Sequence, residues 1–203
     1  MYIAIEGIDT AGKSTQVELL VKNLQQFSSN VIVTKEPGAT AIGSKIREMV
    51  LFDDVKSSTA ELLLFLADRA EHITEVITPN LDKNIVSDRS LISGIAYAKM
   101  SGNYSLQELI NYNIFATNNT LPDIVFILKL TKEELHNRLS KKVKDSIESR
   151  GEEYLLKIQE NLIQASLALQ IKTVEIDATQ SIETIANEIS IMIEKYNDEK
   201  GKQ

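Results

Sequence analysis

The chain has 203 residues, of which 43% are hydrophobic and 25% are charged, as in an ordinary folded domain and unlike a disordered or collagen-like chain. Lys and Arg number 22 against 29 Asp and Glu, and the resulting net charge of −7 argues against binding to a nucleic acid polymer. The chain has no cysteine, and its two histidines, His72 and His136, are far apart, so a metal is expected to have oxygen ligands.

The predicted elements alternate along the chain between short apolar runs and longer segments of helical periodicity. Strands are predicted at 2–6, 31–34, 85–87, 124–130 and 174–176, and helices at 13–27, 41–51, 59–78, 91–100, 106–117, 132–139, 152–170 and 182–196. This alternation predicts an α/β fold with a five-stranded, mostly parallel sheet that has helices on both faces. No linker divides the chain, so we expect one domain over residues 1–203.

The first residues form a strand-like run and not a basic leader, and no apolar stretch approaches the ~20 residues of a membrane span. We therefore expect a cytoplasmic protein with no membrane partner.

A phosphate-binding motif follows the first predicted strand. The sequence GIDTAGKS fits G-x-x-x-x-G-K-[ST] and continues directly into a predicted helix. Its glycines let backbone N–H groups converge on phosphate oxygens, while Lys13 reaches toward the β- and γ-phosphates and Ser14 can ligate Mg²⁺. The motif predicts an ATP site formed by Gly7, Ile8, Asp9, Thr10, Ala11, Gly12, Lys13, Ser14 and Thr15.

A second charged motif, Asp88-Arg89, ends the third predicted strand. A carboxylate at the carboxyl end of a parallel strand beside a P-loop is suited to a Mg²⁺ site, and the arginine is suited to neutralising phosphoryl charge. The alternative is a surface ion pair at the end of a strand, which the neighbouring P-loop disfavours. The base-recognition motif of a guanine-specific switch is absent from the sequence.

Five landmarks give the chain a resemblance to the thymidylate kinases of bacterial type. They are segments 6–16, 34–38, 64–72, 88–97 and 121–123, and the similarity runs from residue 2 to about residue 196. The resemblance implies a P-loop NTPase fold with a short lid at about 141–151. It also implies transfer of the γ-phosphoryl group of ATP to dTMP with Mg²⁺, and a homodimer.

The resemblance also assigns an acceptor site. Phe65 and Arg69 share one helix face, where the family stacks an aromatic ring on thymine and donates from a guanidinium to its O4. The alternatives are core packing for Phe65 and a solvated ion pair for Arg69. Tyr97 corresponds to the ring that excludes a ribose hydroxyl, unless it simply packs. The implied dTMP site comprises Asp9, Glu36, Pro37, Arg47, Phe65, Arg69, Arg89, Ser93 and Tyr97.

Further roles follow from the same resemblance. Arg47 and Arg89 match the family's arginines that hold the acceptor phosphate. A guanidinium fork suits this role, since it can donate two hydrogen bonds to phosphate oxygens. Asp9 matches an acidic residue near the reacting phosphates, with a cap of the loop as the alternative. Arg138 is expected to lie against adenine, although a cation at a helix C-terminus is also favourable by itself. The implied catalytic residues are Lys13, Arg89, Asp9 and Asp88, and the implied metal ligands are Ser14 and Asp88.

The chain departs from the family pattern where a catalytic arginine is usual. Thr10 occupies that position in the P-loop and Ser146 occupies it in the lid, so the lid charge falls to a remaining basic residue. Gly94 and Ala98 stand near Tyr97 where the family often has polar residues, and Lys35 replaces a usual arginine. The candidate lid cations are Lys141, Lys142, Lys144 and Arg150.

Three other functions stay open. A deoxynucleoside kinase also pairs a P-loop with an acid-Arg-Ser strand end, as in residues 88–90, but would not need Arg47 for a monophosphate. Another P-loop nucleoside monophosphate kinase or, more distantly, a non-catalytic ATP-binding module would also contain the motif.

Overall fold

The computed structural model describes residues 1–27, 30–53, 55–140 and 150–200. Five strands form one parallel sheet in the order β2-β3-β1-β4-β5. They are β1 (Tyr2–Gly7), β2 (Val31–Lys35), β3 (Asn84–Asp88), β4 (Ile124–Lys129) and β5 (Lys172–Asp177). The predicted α/β class and five-stranded sheet are confirmed, and β5 is longer than the three-residue apolar run predicted.

Eight α-helices are found among the described residues. They are α1 (Lys13–Phe27), α2 (Ala41–Phe52), α3 (Ser58–His72), α4 (Leu91–Ala98), α5 (Leu106–Ala116), α6 (Lys132–Leu139), α7 (Glu152–Ala168) and α8 (Ile182–Lys200). Side chains at their N-caps satisfy free backbone N–H groups, as Ser57 does for α3 and Ser105 does for α5. The helix predicted at 59–78 is α3 followed by a π-helical turn, Ile73–Ile77.

The helices cover both faces of the sheet. Helices α1 and α8 pack against each other on one face, and α4 and α7 pack together on the other. Every residue of β1 is buried, and β4 is buried up to Lys129. Strands covered on both sides need apolar residues at successive positions, which explains the continuous run Ile124–Leu128 in the core. Each such side chain contributes about 1.5–3 kcal/mol when it is fully buried.

The loop before β4 ties both ends of the described chain together. The backbone N–H of Tyr2 donates to Asp123 Oδ2 over 2.7 Å, and Lys200 Nζ at the end of α8 donates to Asp123 Oδ1 over 2.5 Å. Asp123, which follows Leu121-Pro122, therefore has a structural role, because it holds both ends of the described chain. Within the described ranges, no helix has the length and apolar character required to cross a bilayer.

The sheet topology creates a crevice at the carboxyl ends of its central strands. Strands β1 and β3 are neighbours, and the helices that follow them, α1 and α4, lie on opposite faces. In open α/β sheets, ligands bind at such a point. The residues after β1, β2 and β3 therefore converge on one edge of the sheet.

Candidate active site

The loop between β1 and α1 turns through three residues with positive φ: Gly7 at 152°, Thr10 at 70° and Gly12 at 94°. Gly7 is required by space as well, because a Cβ there would lie 2.9 Å from the carbonyl oxygen of Leu128. The loop delivers the chain to the N-terminus of α1, where backbone N–H groups and the helix dipole favour an anion. The predicted ATP-binding residues, Gly7 to Thr15, therefore form one continuous segment from the end of β1 through the loop into the first turn of α1.

Lys13 lies under this loop and is 8% exposed. Its Nζ donates to the carbonyl of Ile8 over 3.1 Å and lies 3.6 Å from Asp9 Oδ1. Burial, with the repulsion of Arg89, lowers the pKa of Lys13 to about 8 despite the attraction of Asp9. The amine is still mostly protonated at neutral pH, and phosphate oxygens in the loop would favour the charged form further.

Ser14 and Asp88 bring two oxygen atoms together at the same edge. The Ser14 hydroxyl donates to Asp88 Oδ2 over 3.2 Å. In the described ranges, no cluster of three or more His, Cys, Asp or Glu side chains could hold a metal ion. Such a pair fits Mg²⁺, which is usually bound by one or two protein oxygens together with waters and substrate phosphates.

Arg89 lies between the P-loop and the second half of the site. Its backbone has a φ of 73°, which is unusual for a residue with a side chain. Its guanidinium donates to Asp9 Oδ1 over 2.5 Å and to Ser93 Oγ over 3.1 Å, and lies 5.3 Å from the centre of the Tyr97 ring. Asp9 therefore contacts both Lys13 and Arg89.

The role of Glu6, a fully buried carboxylate on β1, was not predicted from the sequence. It accepts hydrogen bonds from the hydroxyls of Ser90 and Ser93 over 2.8 and 2.5 Å, and so fixes the start of α4. Burial raises the pKa of Glu6, although these hydrogen bonds oppose the shift. The available signal was a charged residue in an otherwise apolar strand next to the P-loop.

A cavity of about 540 Å³ opens beside Arg89 between α2, α3 and α4. All nine residues predicted for dTMP line it: Asp9, Glu36, Pro37, Arg47, Phe65, Arg69, Arg89, Ser93 and Tyr97. Phe65 is only partly buried, so its ring faces this cavity and core packing is the wrong alternative. The structure thus brings together residues from five segments of the chain.

Arg69 is buried in a polar network and not in a solvated ion pair, being 3% exposed. Its Nε donates to Glu36 Oε2 over 2.9 Å. The other oxygen of Glu36 lies 2.8 Å from His72 Nδ1, and His72 Nε2 lies 2.6 Å from Thr34 Oγ1. Burial opposes the ionisation of Glu36, but Arg69 and His72 together hold its pKa below the ordinary value. His72 thus has a structural role that composition did not reveal.

Arg47 is held at another wall of the cavity by contacts with the segment after β2. Its Nη1 donates to the carbonyl of Pro37 over 3.0 Å, and a Cβ at Gly38 would lie 2.8 Å from Arg47 Cδ. The N–H of Gly38 donates to Asp68 Oδ1 over 2.9 Å. Burial raises the pKa of Asp68 to about 6. Asp68 therefore supports the backbone on which Arg47 rests.

Arg138 lies beside the P-loop, at the end of α6. Its guanidinium donates to the carbonyls of Thr10 and Ala178 over 2.9 and 2.6 Å, and to Glu134 over 2.7 Å. These hydrogen bonds use N–H groups at the edge of the Arg138 guanidinium, and they join the P-loop to the turn after β5.

The predicted lid lies mostly outside the described residues, including Lys141, Lys142, Lys144 and Ser146. Arg150 is described: its Nη1 donates to the hydroxyl of Tyr154 over 2.8 Å, and it lines the same cavity as Arg89. Ala98 also lines this cavity. Lys35 is exposed at the end of β2. One candidate lid cation therefore lies at the cavity predicted to bind dTMP.

A parallel α/β sheet with a P-loop, a buried lysine and a neighbouring arginine-lined cavity defines a P-loop phosphotransferase. Known proteins narrow this class. The family model for thymidylate kinase matches residues 5–189. A thymidylate kinase of Sulfurimonas denitrificans is 58% identical over 93% of this chain and 97% of its own length. One of Nautilia profundicola is 52% identical over 98% of this chain and 99% of its own length.

The fold points the same way. The crystal structure of thymidylate kinase from Ehrlichia chaffeensis superposes with a TM-score of 0.77 at 26% identity, covering 96% of this chain and 98% of that one. The chain belongs to the thymidylate kinase family. The predicted family resemblance and the prediction of a phosphotransferase are confirmed.

Proposed function

We propose that the chain phosphorylates dTMP to dTDP, with ATP as the phosphoryl donor and Mg²⁺ as the cofactor. The observation that carries this proposal is the position of Asp9 and Arg89 between the P-loop and the cavity of about 540 Å³. A donor phosphate at Lys13 and an acceptor phosphate at Arg89 would meet across this pair. Membership of the thymidylate kinase family supports the choice of substrates.

The acceptor is proposed to bind in the cavity in one orientation. Phe65 stacks on the thymine ring and Arg69 donates to O4, while Tyr97 occupies the space that a 2′-hydroxyl would need. Arg47 and Arg89 bind the phosphate. The partly exposed ring of Phe65 and the buried guanidinium of Arg69 support this division into a base end and a phosphate end. Glu36, Pro37, Ser93 and Asp9 complete the proposed dTMP site.

The donor is proposed to bind along the P-loop, with its phosphates on residues 7–15 and its adenine near Arg138. The edge of Arg138 is hydrogen-bonded to backbone carbonyls, so the flat face of its guanidinium is the surface suited to a base. Ser14 and Asp88 would hold Mg²⁺, directly or through a water. The ion would supply positive charge that neutralises the charge developing on the transferred phosphoryl group.

Catalysis in this proposal consists of positioning and charge stabilisation. The attacking phosphate oxygen of dTMP is already ionised, so no strong general base is needed. Lys13 follows the charge of the transferred group, and Arg89, oriented by Asp9 and Ser93, holds the acceptor phosphate in line with it. The lid at about 141–151 supplies a further cation and excludes water.

Homodimerisation is proposed through the face formed by α3 and α5. A groove of about 530 Å³ lies there, and Leu63, Tyr112 and Phe115 are 59%, 41% and 88% exposed. Exposed apolar patches of this kind mark interaction sites, and a two-fold axis would bury the same patch on both copies. Phe115→Ser should shift the mass measured by light scattering from dimer to monomer. Phe27→Ser, an equally exposed change on α1, should not.

We also propose that residues 1–203 act as one domain in the cytoplasm, with no nucleic acid or membrane partner. The single sheet supports one domain, and the net charge of −7 argues against a nucleic acid partner. The small-molecule substrates support a location in the cytoplasm. Fractionation of cells with an antibody to the chain tests the compartment.

One assay tests the function. Coupled ADP release is measured with ATP, Mg²⁺ and a panel of acceptors that contains dTMP, dUMP, dCMP, dGMP, dAMP and thymidine. Rapid turnover with dTMP and little with thymidine supports the proposal, since Arg47 and Arg89 require a phosphate. Preference for thymidine would identify a deoxynucleoside kinase instead, preference for another monophosphate would identify a related kinase, and ATP binding without acceptor-dependent release would identify a binding module.

A further inference from the structure

The guanidinium of Arg69 is enclosed by groups from three segments of the chain. Glu36 accepts from its Nε and lies 2.7 Å from its Nη2. The carbonyl of Ser90 is 3.5 Å from Nη2, and Asn113 Oδ1 accepts from Nη1 over 2.5 Å. Glu36 provides the opposite charge, whereas Asn113 and the backbone of α4 limit the direction of the fork.

Asn113 is fully buried on α5, and its amide has a fixed orientation. Its Nδ2 donates to the carbonyl of Leu109, one turn earlier, over 2.7 Å. Because the amino group is used there, the oxygen of the same amide is left to face Arg69. Without this oxygen, a buried N–H of Arg69 would lose its acceptor, which favours another position for the guanidinium.

Gly94 encloses Arg69 from the side of α4. A Cβ at this position would lie 2.7 Å from both Nη1 and Nη2 of Arg69 and 3.0 Å from its Cζ. The missing side chain therefore makes the room that the guanidinium occupies. The family often has a polar residue at this position, whereas in this chain glycine leaves space for the guanidinium of Arg69.

We propose that Asn113 and Gly94 are positioning residues that direct Arg69 at the 4-position of the pyrimidine. This inference rests on the proposed function, in which Arg69 recognises thymine. A guanidinium only donates hydrogen bonds. A well-directed Arg69 therefore donates to a carbonyl oxygen at C4, as in thymine, and disfavours the amino group that cytosine has there. If Arg69 is displaced, both the affinity for dTMP and this discrimination should fall.

The two positions provide independent tests. Asn113→Ala removes the acceptor and leaves space, whereas Gly94→Ala adds one methyl group and removes no charge or hydrogen bond. Alanine also favours helix formation over glycine, so Gly94→Ala is not expected to weaken α4 by itself. Asn113→Asp keeps an oxygen facing Arg69 but places its second oxygen against the carbonyl of Leu109, so it should restore only part of what Asn113→Ala loses. Asn111→Ala, an exposed change two residues away, is the matched control.

The experiment measures steady-state constants for these variants with dTMP, dCMP and ATP varied in turn. Asn113→Ala and Gly94→Ala should each raise the KM for dTMP by about tenfold. They should also lower the ratio of kcat/KM for dTMP to that for dCMP by a similar factor, with the KM for ATP unchanged. Thermal denaturation of each variant measures whether it is folded. If Asn113→Ala does not fold, the kinetic constants of Gly94→Ala alone test the proposal.

The contrary results are distinct. A parallel rise in the KM for both dTMP and ATP, or an unchanged ratio of dTMP to dCMP, would overturn the positioning roles and leave both residues structural. A wild-type chain that does not turn over dTMP would contradict the proposed function itself. A wild-type chain that turns over dTMP, with variants that match it, contradicts this inference alone.

Discussion

The donor and acceptor halves of the site are built in different ways. The proposed donor half is one continuous segment, residues 7–15, which runs from the end of β1 into the first turn of α1, and whose backbone N–H groups and Lys13 would contact the ligand. The acceptor half uses side chains from α2, α3, α4, the P-loop and the segment after β2. A backbone site tolerates many side chains, whereas a site of assembled side chains changes its specificity with each one. Turnover should therefore be sensitive to a few donor residues, and substrate choice to many acceptor residues.

The largest expected effect falls on the boundary between the two halves. Lys13→Ala should abolish turnover and leave the fold intact, and Arg89→Ala should lower kcat by about 10²–10⁴-fold, because both remove charge that stabilises the transferred group. The measurement is coupled ADP release with dTMP and saturating ATP. Lys22→Ala, an exposed change on the same helix as Lys13, should match the wild type. Near-normal turnover in either variant would contradict the assignment of the reaction centre.

Variants of the proposed lid test which half of the site its basic residues act on. Alanine changes at Lys141, Lys142, Lys144 and Arg150 should be unequal, with one lowering kcat by about 10²-fold and the others mostly neutral. Arg150 faces the acceptor cavity, so its change should also raise the KM for dTMP. Four uniformly small effects in steady-state kinetics would mean that these residues are solvated surface charges.

Arg69→Ala should affect the acceptor half alone. Hydrogen bonds to charged groups contribute about 1.5–3 kcal/mol, so the KM for dTMP should rise roughly 10- to 100-fold while the KM for ATP stays constant. Arg69→Lys keeps a positive charge beside Glu36 but lacks the planar fork, and should show a smaller rise in the same direction. Kinetics with each substrate varied separate the halves, and an equal rise in both constants would assign Arg69 a structural role.

Tyr97→Ala should relax the discrimination between dTMP and its ribose counterpart by about tenfold, if the ring occupies the space of a 2′-hydroxyl. Tyr97→Phe is the matched control. The hydroxyl of Tyr97 is buried with no hydrogen-bond partner among the described residues, so the phenylalanine variant should keep the wild-type preference. The measurement is the ratio of kcat/KM for the two acceptors. If only the melting temperature falls in the alanine variant, Tyr97 is a packing residue.

The smallest effect concerns stability. The pKa of Asp68 is raised to about 6 in the folded chain, so the folded state binds this proton more tightly than the unfolded state. The resulting stabilisation is complete below the unfolded pKa of about 4 and is lost as the pH rises through about 6. Asp68→Asn keeps an acceptor for Gly38 N–H and should exceed the wild type in stability by about 1–3 kcal/mol at pH 8.

Denaturant unfolding between pH 4 and pH 8 measures this difference for Asp68→Asn. Asp82→Asn, at an exposed position, should follow the wild type throughout. A constant difference between Asp68→Asn and the wild type over the whole pH range would contradict the linkage to this carboxyl group.

Local patterns predicted the fold and the donor half. The five strands follow from short apolar runs, and the P-loop follows from an eight-residue motif between a strand and a helix. The acceptor residues needed the family resemblance, because Phe65 and Arg69 alone are equally typical of a core and a surface. That these residues bind dTMP stays a prediction.

The partners of the residues that support the site had no local signal. Glu6 meets Ser90 from 84 positions away, and Asn113 meets Arg69 from 44 positions away. A buried asparagine in an amphipathic helix has the same periodicity as any other polar residue, so only the packing of α5 against α3 reveals its partner. The continuation of α3 by a π-helical turn was equally hidden, since an extra residue in one turn hardly changes the apolar pattern.

Two residues of the proposed reaction centre, Thr10 and Arg89, have positive φ angles that favour glycine. A side chain in this conformation costs roughly 1 kcal/mol, so Arg89→Gly should be more stable than Arg89→Ala and equally inactive. A directed-evolution screen that selects only for thermal tolerance would therefore favour glycine at Thr10, whereas at Arg89 the lost hydrogen bonds to Asp9 and Ser93 oppose the same change. Engineering a more robust enzyme from this chain should leave these two positions unchanged and seek improvement on the outer faces of α1 and α8.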